Sequence, residues 1–184
     1  MMSSTQPPSL PSQIPLLRPK HRELSDLTPG FLYITLYSRE DDSLGKFHWA
    51  VYYHLNAQIG GTKYHIRGSI GRWMAAHEQA KGILKEFLLV GLVHVAVIDE
   101  GKNKVVDTLA RVEDDTVNQI EGTTCHFWAR RFCEGLRAAR VMDFRSWKEL
   151  EEELVTWGIE NDESSLENVQ PRPLSFSKVC GLSA

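Results

Sequence analysis

Cysteine is scarce in this chain of 184 residues: Cys125, Cys133 and Cys180 are the full set, with no Cys-x-x-Cys pair. An odd, sparse set of this kind excludes a secreted disulfide framework and the usual zinc spacing. Basic charge is not in excess. Lys and Arg number 21 against 24 Asp and Glu, a net charge of −3, which argues against a nucleic-acid binder. Long apolar runs are missing too. The longest, residues 87–98, is interrupted by Gly91 and His94 and falls short of the ~20 residues that a membrane span needs. No glycine-rich phosphate loop, zinc spacing or dinucleotide fingerprint is present, so no cofactor or metal is expected. The first nineteen residues carry Pro7, Pro8, Pro11, Pro15 and Pro19, without a basic segment leading into an apolar one. That is not a secretion signal, and an intracellular, cytoplasmic location is the expectation.

What is present suits one globular domain. Hydrophobic residues make up 42% of the chain, with five Trp, five Tyr and seven Phe to build a core. Residues 1–28, rich in Pro and Ser, are expected to form a disordered arm; the alternative is a short segment packed through Ile14, Leu16 and Leu17. Residues 29–160 form the domain, and residues 161–184, where Pro171 and Pro173 break any helix, form a polar tail.

Within the domain the hydrophobic period changes once. Aromatic and β-branched runs predict strands over 31–37, 47–55, 63–68 and 87–98, the last bent or bulged at Gly91. Residues 72–81 fit either a short helix or an edge strand. Beyond a turn at 100–103, Val105, Val106, Leu109 and Val112 recur at helical spacing. Thr123 or Thr124 can cap a helix reaching about residue 140, with Phe127, Trp128, Phe132 and Leu136 as apolar positions. Ser146 and Glu149 form a capping box for a last helix with Leu150, Leu154 and Trp157 on its apolar face. Strands first and helices later give an α+β fold with an antiparallel sheet packed against helices.

The chemistry centres on Cys125. A helix N-terminus favours negative charge, so a thiol there is the best-placed nucleophile. Cys133 lies two turns further on and Cys180 lies in the tail. Of seven histidines, His21 is in the arm, His77 in an uncertain segment, and His94 in an apolar strand, where a hydrogen-bonded core histidine is the commoner meaning. His126 adjoins Cys125, but successive helical residues diverge by about 100°, which sets it aside. His48 and His65 remain. A hairpin centred between Asn56 and Ala57 brings them directly opposite one another; a turn centred on Gly60-Gly61, the stronger turn signal, separates them. Trp49, Trp128 and Phe132 are expected in the core. Arg130, Arg131, Arg137 and Arg140 are expected on a solvated helix face, and the acidic runs 39–42 and 151–153 in solvent.

The strand Phe47-His48-Trp49-Ala50, a second strand ending near His65, and a later Cys125 at a helix start resemble the permuted papain-like fold of the lecithin retinol acyltransferase and NlpC/P60 families. The layout of residues 30–140 also resembles a family of small fungal proteins with a His-Trp-Ala strand, a Gly-Thr-Lys-Tyr-His strand (residues 61–65) and a Cys-x-x-Trp helix (Cys125 to Trp128). The first resemblance implies Cys125 as acyl-accepting nucleophile, His48 as general base and His65 as the residue orienting it. The acyltransferases carry Asn before the cysteine and Glu-His-Phe after it; here Thr124 precedes Cys125, and His126-Phe127 follow. Two functions are compatible with these residues. One is a cysteine-dependent hydrolase or acyl/amide transferase, acting on a small-molecule, peptide or lipid acyl substrate. The other is a non-catalytic binding or scaffold domain on the same fold.

Overall fold

The apolar runs account for the architecture. A computed structural model describes residues 22–39, 46–69, 71–111 and 114–183, the side chains of 114 and 115 excepted. In chain order the elements are β1 (Phe31–Tyr37), β2 (His48–Asn56), β3 (Gly60–Tyr64), β4 (Ile66–Ser69), β5 (Arg72–Ala75), β6 (Glu78–Ala80) and β7 (Leu89–Val97). They are followed by α1 (Asn103–Ala110), α2 (Asp114–Asn118), α3 (Cys125–Ala138), α4 (Trp147–Leu166) and β8 (Leu174–Phe176). Six strands form one sheet in the order β6-β3-β2-β1-β7-β8, and β4 pairs with β5 in a two-stranded ribbon. Every pairing is antiparallel except that of β7 with β8. The expected α+β class, with a largely antiparallel sheet against helices, is what forms.

The central strands are apolar on both sides because both faces of the sheet are covered. On one face, Leu36, Trp49, Val51 and Ile66 pack against Trp128, Phe132 and Leu136 of α3 and Leu150 and Leu154 of α4. On the other, Tyr33, Tyr52, Leu89 and Leu92 pack against Leu27, Ile83 and Leu84. Each large aliphatic chain buried in this way contributes about 1.5–3 kcal/mol. Both helix starts are capped as their sequences predict. Thr124 Oγ1 accepts from Phe127 N, and Ser146 Oγ from Glu149 N. At Gly91 the β1–β7 register slips, with Leu36 opposite Gly91 but Tyr37 opposite Leu89, so the expected bulge is present. A Cβ at Gly91 would stand 2.5 Å from the Pro173 carbonyl oxygen and 2.7 Å from the Trp157 ring. The bare backbone there lets the C-terminal segment approach.

Several expectations are corrected. The hairpin turn is 57–59, which is neither of the two alternatives. Tyr53 pairs with Thr62 and Val51 with Tyr64, with a bulge at His54/Asn56. Gly60 and Gly61 belong to β3; Gly60 takes φ +79°, and a Cβ on Gly61 would collide with the Tyr53 carbonyl at 2.1 Å. These glycines serve strand packing rather than the turn. The 63–68 strand is split at His65, and residues 72–81 form two short strands. The C-terminal residues are not a tail. The prolines stop α4 as expected, yet the Pro173 carbonyl accepts from Leu92 N, and β8 then extends the sheet as a parallel edge. Proline cannot donate to a ladder but accepts normally. Arg172 is fully buried here, its Nη2 donating to Asn168 Oδ1 at 2.6 Å. At the other end, 24–26 form a 3-10 turn and Leu27 is buried, so residues 24–27, expected in the arm, belong to the fold; residues 1–21 lie outside the described residues, as does Val112.

Candidate functional site

Cys125 is the first residue of α3. Its Sγ accepts a hydrogen bond from Arg39 Nη2 at 3.6 Å. A negative charge on this sulfur would meet both a guanidinium and the free N–H groups of the helix end. The residue itself is only 1% exposed, but it lines an open cavity of about 490 Å³ with Arg39, Lys46, Trp49, Trp73, His126 and Glu151. Trp73 is held there by Asn118, whose side chain bonds both the Trp73 N–H, at 2.8 Å, and its carbonyl, at 2.7 Å.

His126 lines the same cavity. Its ring packs edge-on against Trp49, with centroids 5.0 Å apart, and near Trp147 at 5.6 Å. Its Nε2 lies 3.0 Å from Glu151 Oε1 without meeting hydrogen-bond geometry. Both Cys125 and His126 line this cavity despite the 100° divergence that set His126 aside. Glu151 is a long-range partner on α4, and no local spacing links it to His126. Glu151 and Glu153, expected in solvent, are therefore both engaged. Glu153 takes hydrogen bonds from Ser177 Oγ and Lys178 N at 2.5 and 2.7 Å.

His48 and His65 do come together, with His48 Nε2 3.0 Å from His65 Nδ1. They are diagonal neighbours rather than direct opposites, since continuing the β2–β3 ladder one step past Val51–Tyr64 sets Ala50 against His65. Alternation along β2 sends Trp49 and Val51 to the helix-covered face and Tyr52 to the other. His48 shares the side of Tyr52. The pair therefore projects from the face opposite α3, and Cys125 is not joined to either ring by a hydrogen bond among the described residues. The expected Cys125–His48–His65 constellation separates into a histidine pair and a thiol, with Arg39 acting on both. No family model, curated protein or solved structure matches the chain.

The histidine pair belongs to a polar cluster. Lys63, 7% exposed, places Nζ 2.8 and 2.9 Å from the two Glu86 oxygens and 2.9 Å from Glu78 Oε1. Tyr37 donates to Glu86 at 2.7 Å. Burial first, then the positive charges of Arg39 and Lys63, pushes His48 down to about 4. Burial, followed by His48 and Lys63, pushes His65 down to about 3. Both rings are neutral near pH 7.

The remaining candidates fall where their sequence context puts them. His94 is buried, donates from Nε2 to the Ala96 carbonyl at 2.9 Å, and stacks on Phe31 at 3.8 Å. Trp49, Trp128 and Phe132 are core residues. Arg130 is exposed and pairs with Glu134. Burial raises the thiol of Cys133 far above its ordinary value, and that of Cys180 to about 11. Cys180 sits in a turn, its N–H donating to Ser177 Oγ at 3.1 Å. Neither is set up as a nucleophile. Among the described residues no helix is long and apolar enough to cross a membrane, and no cluster of three metal-ligating side chains forms.

Proposed function

We propose that the cavity at the start of α3 is a thiol-dependent acyl-transfer site on a permuted papain-like scaffold, with Cys125 as nucleophile. The observation that carries this reading is the Arg39 guanidinium on the sulfur of a helix-terminal cysteine that opens onto a cavity. The chain order supports the scaffold: the His-Trp-Ala strand comes first, and the cysteine helix packs later against that same strand. The imidazole within the cavity is His126, with Glu151 beside it, and it takes the role of base that the family resemblance gives to His48.

The reaction has two steps. The Cys125 proton passes to His126 as the sulfur attacks an acyl carbonyl; an S–C bond forms, the bond to the leaving group breaks, and the leaving group takes that proton. Water or an amine then attacks the thioester, gives its proton to His126, and the proton returns to the sulfur as it leaves. Arg39, freed from the sulfur, is placed for a carbonyl oxygen gaining negative charge.

A second reading, binding without bond-making, is favoured by one observation: the sulfur's hydrogen-bond partner is a guanidinium rather than an imidazole. Incubation with 4-nitrophenyl acetate separates the two. Acyl transfer gives a burst of nitrophenolate and an acetyl increment on the peptide containing Cys125, absent in Cys125→Ser and about a hundredfold slower in His126→Ala. No burst and no acetylated Cys125 peptide would leave the binding reading.

A further inference from the structure

A second cavity, larger than the one at Cys125, lies among the described residues. It encloses about 810 Å³ and lies on the other face of the sheet, where the 3-10 turn at 24–26 meets the segment 81–85. Its wall holds three cations, Arg22, Lys81 and Lys85, against one carboxylate, that of Glu23, together with the side-chain amides of Asn168 and Gln170. Arg22 Nε is buried and has no acceptor among the described residues. A buried donor without an acceptor is costly, and a concave site lined by one sign of charge concentrates ions of the other. Cations at Lys81 and Lys85, from one segment, and Arg22, from another, converge on a space large enough for a small organic ligand.

We infer that this cavity binds a small phosphoryl-bearing anion carrying two or more negative charges, held by Arg22, Lys81 and Lys85. The planar guanidinium with an unpartnered N–H suits a tetrahedral oxyanion, which accepts from several directions at once. The two lysines, both exposed, add charge without fixing geometry, so charge density rather than a single shape selects the ligand. The Asn168 carboxamide is already oriented by Arg172, which makes that side of the wall rigid. Nothing in this inference depends on chemistry at Cys125, which lies on the opposite face.

Isothermal titration calorimetry of the full chain with inorganic pyrophosphate tests it, with dimethyl phosphate as the singly charged comparison. Saturable binding of one pyrophosphate is expected, weaker at higher salt. Each of Lys81→Ala, Lys85→Ala and Arg22→Ala is expected to weaken it roughly tenfold, the usual cost of one charge-assisted hydrogen bond. Lys148→Ala, exposed in the first turn of α4, is expected to leave it unchanged. The lysine changes lie on the surface, so thermal melts of those variants will match the parent. No saturable binding would overturn the inference. So would equal affinity for dimethyl phosphate, or pyrophosphate binding that survives the Lys81→Ala, Lys85→Ala double change. Binding only to vesicles of anionic lipid, with none to free pyrophosphate, would overturn it in favour of a membrane surface.

Discussion

Lys63→Met removes the cation that binds both carboxylates of the polar cluster while keeping most of the aliphatic stem. Lys63 contacts both oxygens of Glu86 and one of Glu78. Burial alone pushes its ammonium down, but the bonds to the two carboxylates more than offset that and leave it above its ordinary value. Without it, Glu86 keeps the Tyr37 hydroxyl and faces Glu78 as a like charge. Breaking a fully buried pair costs about 3–5 kcal/mol. The Glu86 side chain is 25% exposed and that of Glu78 58%, so water takes over part of the lost interaction, and about 2–3 kcal/mol is expected. For a chain of this length that lowers Tm by roughly 4–12 °C. Urea unfolding followed by tryptophan fluorescence gives the free energy, and histidine NMR titration adds a second readout. Lys63 is one of the charges holding His48 and His65 low, so both rings will titrate higher in the variant. They will still titrate below 6.5, because burial is the larger cause. A loss under about 1 kcal/mol with unmoved histidines would refute the cluster as described.

Three further outcomes follow from the same geometry. Because the folded pKa values of His48 and His65 lie below their ordinary value, the unfolded chain binds the extra protons. Stability is therefore full above about 6.5 and falls as pH drops through about 4 for His48 and about 3 for His65. Each ring contributes up to about 1.4 kcal/mol per pH unit, and a His48→Gln, His65→Gln variant will show a shallower acid limb in urea melts taken between pH 7 and 4. Gly158→Ala places a Cβ 2.6 Å from Phe47 and 2.9 Å from Leu36; overpacking of about 1–3 kcal/mol, less up to about 1 kcal/mol of gained helix propensity, will lower Tm. Thr124→Ala removes the acceptor for Phe127 N and costs about 1 kcal/mol, whereas Thr124→Ser is near neutral, as chemical denaturation will show.

Strands β1, β2 and β7 and helices α3 and α4 were legible because their signals are local: apolar alternation, Thr124 and Ser146 as caps, and Trp128, Phe132 and Leu136 one turn apart. The C-terminal strand was not. Nothing in Leu174-Ser175-Phe176 announces that Gly91, some eighty residues earlier, leaves room for the Pro173 carbonyl. The meeting of His48 and His65 was one of two alternatives the sequence left open, and the register that decides between them was not legible, because the 57–59 turn lacks glycine. The site divides in the same way. Cys125 follows from its helix start, but the face of β2 that meets α3 is set by which side chains the helices cover. That packing choice sends Trp49 toward Cys125 and His48 away from it, and it brings in Arg39, His126 and Glu151 from three separate segments.

The rate of alkylation at Cys125 is the most direct test of the site at the start of α3. Iodoacetamide modification near neutral pH, followed peptide by peptide by mass spectrometry, compares the three cysteines in the parent, His126→Ala and His48→Ala chains. Cys125 is expected to react fastest in the parent, to slow about tenfold or more in His126→Ala, and to keep its rate in His48→Ala. Slow and equal labelling of all three cysteines, or a loss of reactivity in His48→Ala alone, would contradict the assignment of Cys125 and His126 as the reacting pair.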